Sequence, residues 1–139
     1  MNQFSQEQIQ TLIGQALEAR TFSYSPYSQF QVGAALLCKD GTVYTGCNIE
    51  NAGYGPTNCA ERTAIFKAVS EGKRDFAAIA VVGGKAGEEI TGYAYPCGVC
   101  RQVMAEFCHG DFAIFVAKSA TEYQEYTLEE LLPNRFGLS

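Results

Sequence analysis

Three short apolar runs, Gln31–Cys38, Phe76–Val82 and Ala113–Lys118, alternate along the chain with segments of helical character. Runs of that length, rich in Val, Ile, Phe and Ala, read as buried strands. The intervening segments, Cys59–Glu71 and Pro96–Cys108, are long enough for helices and carry helix punctuation at their ends. Strands that alternate with helices form a sheet covered by helices on both faces. The pattern therefore predicts an α/β fold, a three-layer α/β/α sandwich around a mixed sheet of about five strands.

The remaining elements fit that frame. Ser5 with Gln8 makes a capping box, and Phe4 and Ile9 stand at the staple positions around it. Ile9, Leu12, Ile13, Ala16 and Leu17 then mark one face of a helix. Thr21–Phe30 reads as loop. Asp40-Gly41 predicts a hairpin turn, and Thr42–Cys47 the returning strand. Asn48–Asn58 reads as loop, with Thr57 or Asn58 capping the next helix and Gly72 ending it. Gly83–Tyr95 reads as a glycine-rich loop, and Pro96 marks the start of the following helix. Glu122–Tyr126 is expected as a fifth strand, and Thr127 with Glu130 caps a short last helix. His109 is expected to place a favourable charge in the last turn of its helix.

The 139 residues show no repeat or linker, so residues 1–139 are expected to form one domain. Apolar residues make up 47% and charged residues 18%, as in globular chains. A net charge of −5 argues against nucleic acid as a partner, because a general binder carries a basic footprint. No apolar run approaches the roughly 20 residues needed to cross a bilayer, so no membrane partner is expected. Met1–Phe4 resembles no leader peptide, and a cytoplasmic location is expected. Thiols stay reduced there, so the six cysteines point to metal binding or catalysis before disulfides.

Two motifs concentrate the chemistry: Cys59-Ala60-Glu61-Arg62, and Pro96-Cys97-Gly98-Val99-Cys100. Each lies at the start of an expected helix that follows a strand. Ligands in open α/β sheets bind beyond the carboxyl ends of the strands, so the two motifs can share one crevice. Helix N-termini favour thiolates, and three thiolates bind Zn²⁺ while leaving a fourth position open, as catalytic zinc sites do. Glu61, two residues after Cys59, can stand beside the metal and move the proton of its water. This layout resembles that of the zinc nucleobase deaminases in their three-cysteine form. Three thiolates leave a net charge of −1 on the centre, and Arg62 is assigned hydrogen bonds to thiolate sulfur to offset it.

Taken with Tyr24-Ser25-Pro26-Tyr27-Ser28, Phe30-Gln31-Val32-Gly33-Ala34-Ala35, Gly46-Cys47-Asn48-Ile49-Glu50-Asn51-Ala52 and Glu129-Glu130-Leu131-Leu132-Pro133, these motifs resemble the short, homotetrameric cytidine deaminases nearly end to end. The resemblance implies one Zn²⁺ per subunit on Cys59, Cys97 and Cys100, with Glu61 as the proton shuttle and hydrogen-bond partner of N3 of the pyrimidine. It implies that Asn48 and Glu50 bind the 3′-hydroxyl of the ribose, that Phe30 packs beside the base, and that the Ala60 backbone contacts the base oxygen. Phe136 would stack on a base, and Tyr54 would reach across a subunit boundary. The implied activity is deamination of cytidine to uridine in pyrimidine salvage, with deoxycytidine as a second substrate. The stretch Gly53–Asn58 departs from many relatives, which bears on intersubunit contacts.

Other readings stay open at this stage. Cys97 and Cys100 alone could form a redox dithiol, although no thioredoxin-like Trp context exists. Cys38, Cys47 or Cys108 could close a structural four-cysteine site, but each suits a small buried core position better. The substrate could be another aminopyrimidine nucleoside, or the chain could be a zinc-stabilised binding module without catalysis.

Overall fold

Ser5 caps the first helix, α1 (Gln6–Arg20), with both hydrogen bonds of a capping box: its hydroxyl accepts from the Gln8 amide, and the Gln8 side chain accepts from the Ser5 amide. Phe4 packs edge-on to Phe115 beside this cap, with ring centroids 5.9 Å apart. The computed structural model describes residues 3–138; Met1 and Asn2, which belong to the segment that resembles no leader, and Ser139 lie outside them. The elements that follow are β1 (Phe30–Cys38), β2 (Val43–Cys47), α2 (Ala60–Ser70), β3 (Phe76–Lys85), α3 (Gly98–Phe107), β4 (Ala113–Ala117), β5 (Tyr123–Thr127) and α4 (Leu128–Leu131). No helix among the described residues is long and apolar enough to cross a membrane.

The sheet is mixed, in the order β2-β1-β3-β4-β5. Only β3 and β4 pair in parallel; β1–β2, β1–β3 and β4–β5 are antiparallel. Strands alternate their side chains between two faces, and two cores result. On one face Ile79 and Val81 of β3 join Ile114 and Val116 of β4 under α2 and α3. On the other face Ala78, Ala80 and Val82 join Phe115 under Ile9, Leu12, Ile13 and Ala16 of α1. Small residues on the α1 face let that helix lie close. A Cβ built on Gly33 would stand 2.0 Å from the Ala16 carbonyl oxygen and 2.6 Å from the Arg20 nitrogen. These are backbone atoms, so α1 itself would have to lift. Gly33→Ala is expected to destabilise the protein by at least about 3 kcal/mol, read as a lowered urea midpoint; an unchanged midpoint would refute this packing argument.

Several local expectations are corrected. Gly83, Gly84 and Lys85 are strand rather than loop, because Val32, Gln31 and Phe30 of β1 supply their pairing partners. Cross-strand pairing overrides the weak strand preference of glycine there. Secondly, α2 is capped by neither Thr57 nor Asn58. Its N-cap is Cys59, while the Thr57 hydroxyl accepts from the Asn51 amide and Asn58 donates to the Thr63 hydroxyl. In the same way α3 begins after Cys97, one residue beyond Pro96. Thirdly, α3 ends at Phe107 with Cys108 as its C-cap, so His109 lies outside the last turn. Gly72 ends α2 in the left-handed region, at φ 89°, the conformation that suits glycine after a helix.

The topology places the chemistry. β2 and β3 both run antiparallel to β1, so they point the same way. The helices α2 and α3 start after their carboxyl ends, and the first residue of β1, Phe30, lies at that same end opposite Lys85.

Candidate active site

Cysteine N-caps open both α2 and α3, and neither sulfur makes a capping hydrogen bond. Both cysteines therefore stand at the positive end of a helix. Cys59 Sγ lies 3.8 Å from Cys97 Sγ, and Cys97 Sγ lies 3.6 Å from Cys100 Sγ. All three sulfurs fall within 4.8 Å of one another. Tetrahedral zinc with Zn–S bonds of about 2.3 Å sets its sulfurs about 3.8 Å apart, so this donor set fits Zn²⁺. Among the described residues the cluster contains no fourth ligand. Cys38 and Cys108 are buried elsewhere and Cys47 is half-buried, all three as free thiols. An open fourth position distinguishes the site from a closed structural one.

Arg62 and Glu61 flank the sulfurs in different ways. Arg62 donates through a terminal nitrogen to Cys59 Sγ at 3.2 Å. A hydrogen bond from Cys100 and then the Arg62 guanidinium draw the Cys59 thiol down to about 5. Cys100 moves the opposite way, because it shares the proton of that hydrogen bond and is buried. Glu61 is only 4% exposed. Burial pushes its carboxyl up to about 7, aided by the nearby Cys59 charge and opposed by Arg62. In the metal-free protein Glu61 thus keeps a proton that the unfolded chain releases near pH 4.5. Its contribution to stability falls as pH rises from about 4.5 to 7. Cys59 titrates over an overlapping range with the opposite sign, so a comparison with Glu61→Gln isolates the carboxyl. Between pH 4.5 and 8 the metal-free variant is expected to gain about 3 kcal/mol relative to the parent. Urea unfolding at both pH values checks this, and a pH-independent difference would refute it.

A cavity of about 270 Å³ opens beside the sulfurs, and Phe30, Asn48, Glu50, Ala60, Glu61, Cys59 and Cys97 line it. Asn48 and Glu50 belong to a segment held on both sides: Ile49 bridges to Tyr24 and to Asn58. The Asn48 amide nitrogen donates to the Phe30 carbonyl at 2.8 Å, which joins the asparagine to the strand end that carries the aromatic ring. Gly83 allows Phe30 to lie close, since a Cβ there would meet the ring at 3.0 Å and Ala94 at 2.8 Å. Tyr54 and Phe136 are not brought to this cavity; they stand 92% and 67% exposed. Val81, Ala94 and Tyr95 also line it, none of them marked by a sequence motif, as do Thr57 and Asn58, which the sequence offered only as helix caps. Ser23 and Ser28 were likewise missed, although they hydrogen-bond Asn48 and Glu50. Their hydroxyls stand in a Ser-, Tyr- and Pro-rich loop, which was the available signal. A second cleft, of about 310 Å³, lies at the far end of the sheet between Lys39, Asp75, His109 and Asp111. Its charges are exposed and mixed in sign, and the cysteine cluster lies elsewhere.

Residues 6–116 match the family described as the cytidine and deoxycytidylate deaminase zinc-binding region. The chain is 56% identical over 127 residues to a cytidine deaminase of Halalkalibacterium halodurans, a match covering 91% of this chain and 92% of that protein. It is 51% identical over 129 residues to a cytidine deaminase of Sporosarcina psychrophila, covering 93% and 91%. Among solved structures, the cytidine deaminase of Burkholderia pseudomallei superposes with a TM-score of 0.82 at 47% identity, over 91% of this chain and 97% of that one. The cytidine deaminase of Mycobacterium tuberculosis gives 0.77 at 40%, over 92% and 96%. Zinc, one ion per chain, is accordingly the cofactor that the three cysteines accept. Fold, cysteine cluster and sequence agree: the chain belongs to the cytidine and deoxycytidylate deaminase family.

Proposed function

We propose that this protein hydrolyses cytidine to uridine and ammonia, accepts deoxycytidine as well, and serves pyrimidine salvage in the cytoplasm as a one-domain subunit of a homotetramer. The observation that carries the reading is the meeting of the three-cysteine cluster, the buried Glu61 and the Asn48–Glu50 pair around one cavity. Cys59, Cys97 and Cys100 hold the zinc. Held there, the ion would lower the pKa of a bound water toward neutrality and so supply a nucleophile for C4 of the pyrimidine. Glu61 would accept a proton from the attacking water and pass it to N3, then accept the proton of the new C4 hydroxyl and pass it to the amino group, which leaves as ammonia as the C4–N4 bond breaks. Burial raises the Glu61 carboxyl above the usual carboxylate range in the metal-free protein, the direction that suits a group that both accepts and donates a proton. Arg62 keeps negative charge on Cys59 tolerable. Phe30 packs beside the base, the Ala60 backbone meets the base oxygen, and Asn48 with Glu50 hold the ribose 3′-hydroxyl. Tyr54 and Phe136 are assigned to neighbouring subunits; their exposure supports this, because neither lines its own chain's cavity.

The decisive assay follows the ultraviolet spectrum and ammonia release from cytidine. Conversion that a strong chelator abolishes supports the reading. No conversion by protein holding one zinc per chain would overturn it and favour another aminopyrimidine nucleoside. Strict rejection of deoxycytidine would remove the second substrate, and a mass other than that of four chains would remove the tetramer.

A further inference from the structure

The hydrogen bonds around Asn48 and Glu50 leave little of either side chain free. A carboxylate has about four acceptor positions, and an amide side chain has two donors and two acceptor positions. Glu50 Oε1 accepts from the amides of Tyr27 at 3.0 Å and Ser28 at 3.1 Å. Its Oε2 accepts from the Ser28 hydroxyl. One acceptor position remains, on Oε2. Asn48 Oδ1 accepts from the Val32 amide at 2.9 Å and the Ser23 hydroxyl at 2.5 Å, and Nδ2 donates once, to the Phe30 carbonyl at 2.8 Å. One N–H remains. The pair therefore offers one donor and one acceptor, which matches a single hydroxyl.

Ser28 stands at the junction of this arrangement. Its oxygen also accepts from the Phe30 amide at 3.0 Å. One hydroxyl thus ties the sugar-facing carboxylate to the residue that flanks the base. The turn that carries it is closed by the Gln29 amide donating to the Ser25 carbonyl at 2.9 Å. Gln29 itself sits at φ 58°, in the left-handed region.

We propose that Ser28 is a positioning residue for nucleoside recognition: through Glu50 it orients the one free acceptor toward a single sugar hydroxyl. This rests on the reading of Asn48 and Glu50 as the ribose-binding pair. Without the Ser28 hydroxyl, Oε2 gains a second open position and loses the bond that sets its direction. The Phe30 amide also loses its acceptor, which weighs equally on every substrate, so the effect that passes through Glu50 is the part confined to substrates that present the hydroxyl in question.

Kinetics of the zinc-loaded protein with cytidine and 3′-deoxycytidine test this. Ser28→Ala is expected to raise KM for cytidine about 10-fold, the effect of losing an aligned hydrogen bond to a charged group, with kcat within about 2-fold. For 3′-deoxycytidine, kcat/KM is expected to stay within about 2-fold of the parent. Ser28→Thr, which retains a hydroxyl, is expected to restore cytidine binding. Equal losses on both nucleosides would overturn the proposal and make Ser28 a merely structural loop residue. No loss on either would overturn it too. If the parent fails to convert cytidine at all, the ribose reading falls first and takes this one with it.

Discussion

Glu61→Gln is expected to lower kcat on cytidine by about 10²–10⁴-fold while zinc stays at one ion per chain. Gln matches Glu in size, and Glu61 makes no contribution to the sulfur cluster that holds the ion. What the amide lacks is a proton to exchange. Desolvation raises the buried carboxyl in the metal-free protein, and a carboxyl, unlike an amide, can accept a proton and then donate it. Gln removes both steps together, and no other carboxylate lines the reaction end of the cavity; Glu50 is occupied by the Tyr27 and Ser28 amides and the Ser28 hydroxyl. Metal analysis alongside single-turnover rates checks the result. Retained turnover with intact zinc would remove Glu61 from the mechanism.

The second large effect lies at the cysteines. Cys97→Ala is expected to abolish both zinc binding and turnover, with zinc falling well below one ion per chain after dialysis. Two sulfurs alone cannot complete a three-point cradle, and no other His, Cys, Asp or Glu joins the cluster among the described residues. Cys97 is the informative choice because its side chain is exposed, whereas Cys100 is fully buried. Removing Cys97 therefore opens no core cavity, and lost activity reflects lost metal rather than lost packing. Metal analysis and circular dichroism separate the two causes. Full zinc occupancy in the variant would show that a different donor set holds the ion. Chelation of the parent should reproduce the loss, and added zinc should reverse it.

Much of this architecture was legible because its signals are local. The capping boxes at Ser5 and Thr127 need only residues three apart, and both form. The cysteine motifs carry their own geometry in the same way. Cys97 and Cys100, three residues apart, lie on one helical turn, and Cys59 and Glu61 share another. The extension of β3 through Gly83, Gly84 and Lys85 was not legible, because its cause is the partner strand some fifty residues earlier in the chain. Nor were the true N-caps. Thr57 and Asn58 are good capping residues by type, but side-chain hydrogen bonds to residues six and five positions away engage both, and the cap of α2 passes to Cys59.

The sequence by itself determined the alternation of strands and helices, the three sulfur ligands and the carboxylate beside them. The motifs themselves depend on spacing within one turn or one strand, which neighbouring residues set, whereas the meeting of Cys59 with Cys97, 38 positions along the chain, follows from the topology. Tertiary structure alone decided which polar atoms stay free to meet a ligand. Ser28 and Glu50 are 22 positions apart, as the hydrogen-bond partners Asn48 and Ser23 are 25. Whether a carboxylate or amide is saturated or open depends on the chain folding two distant segments onto one another. Composition and spacing carry no record of that, since the same side chains in solution would all be satisfied by water.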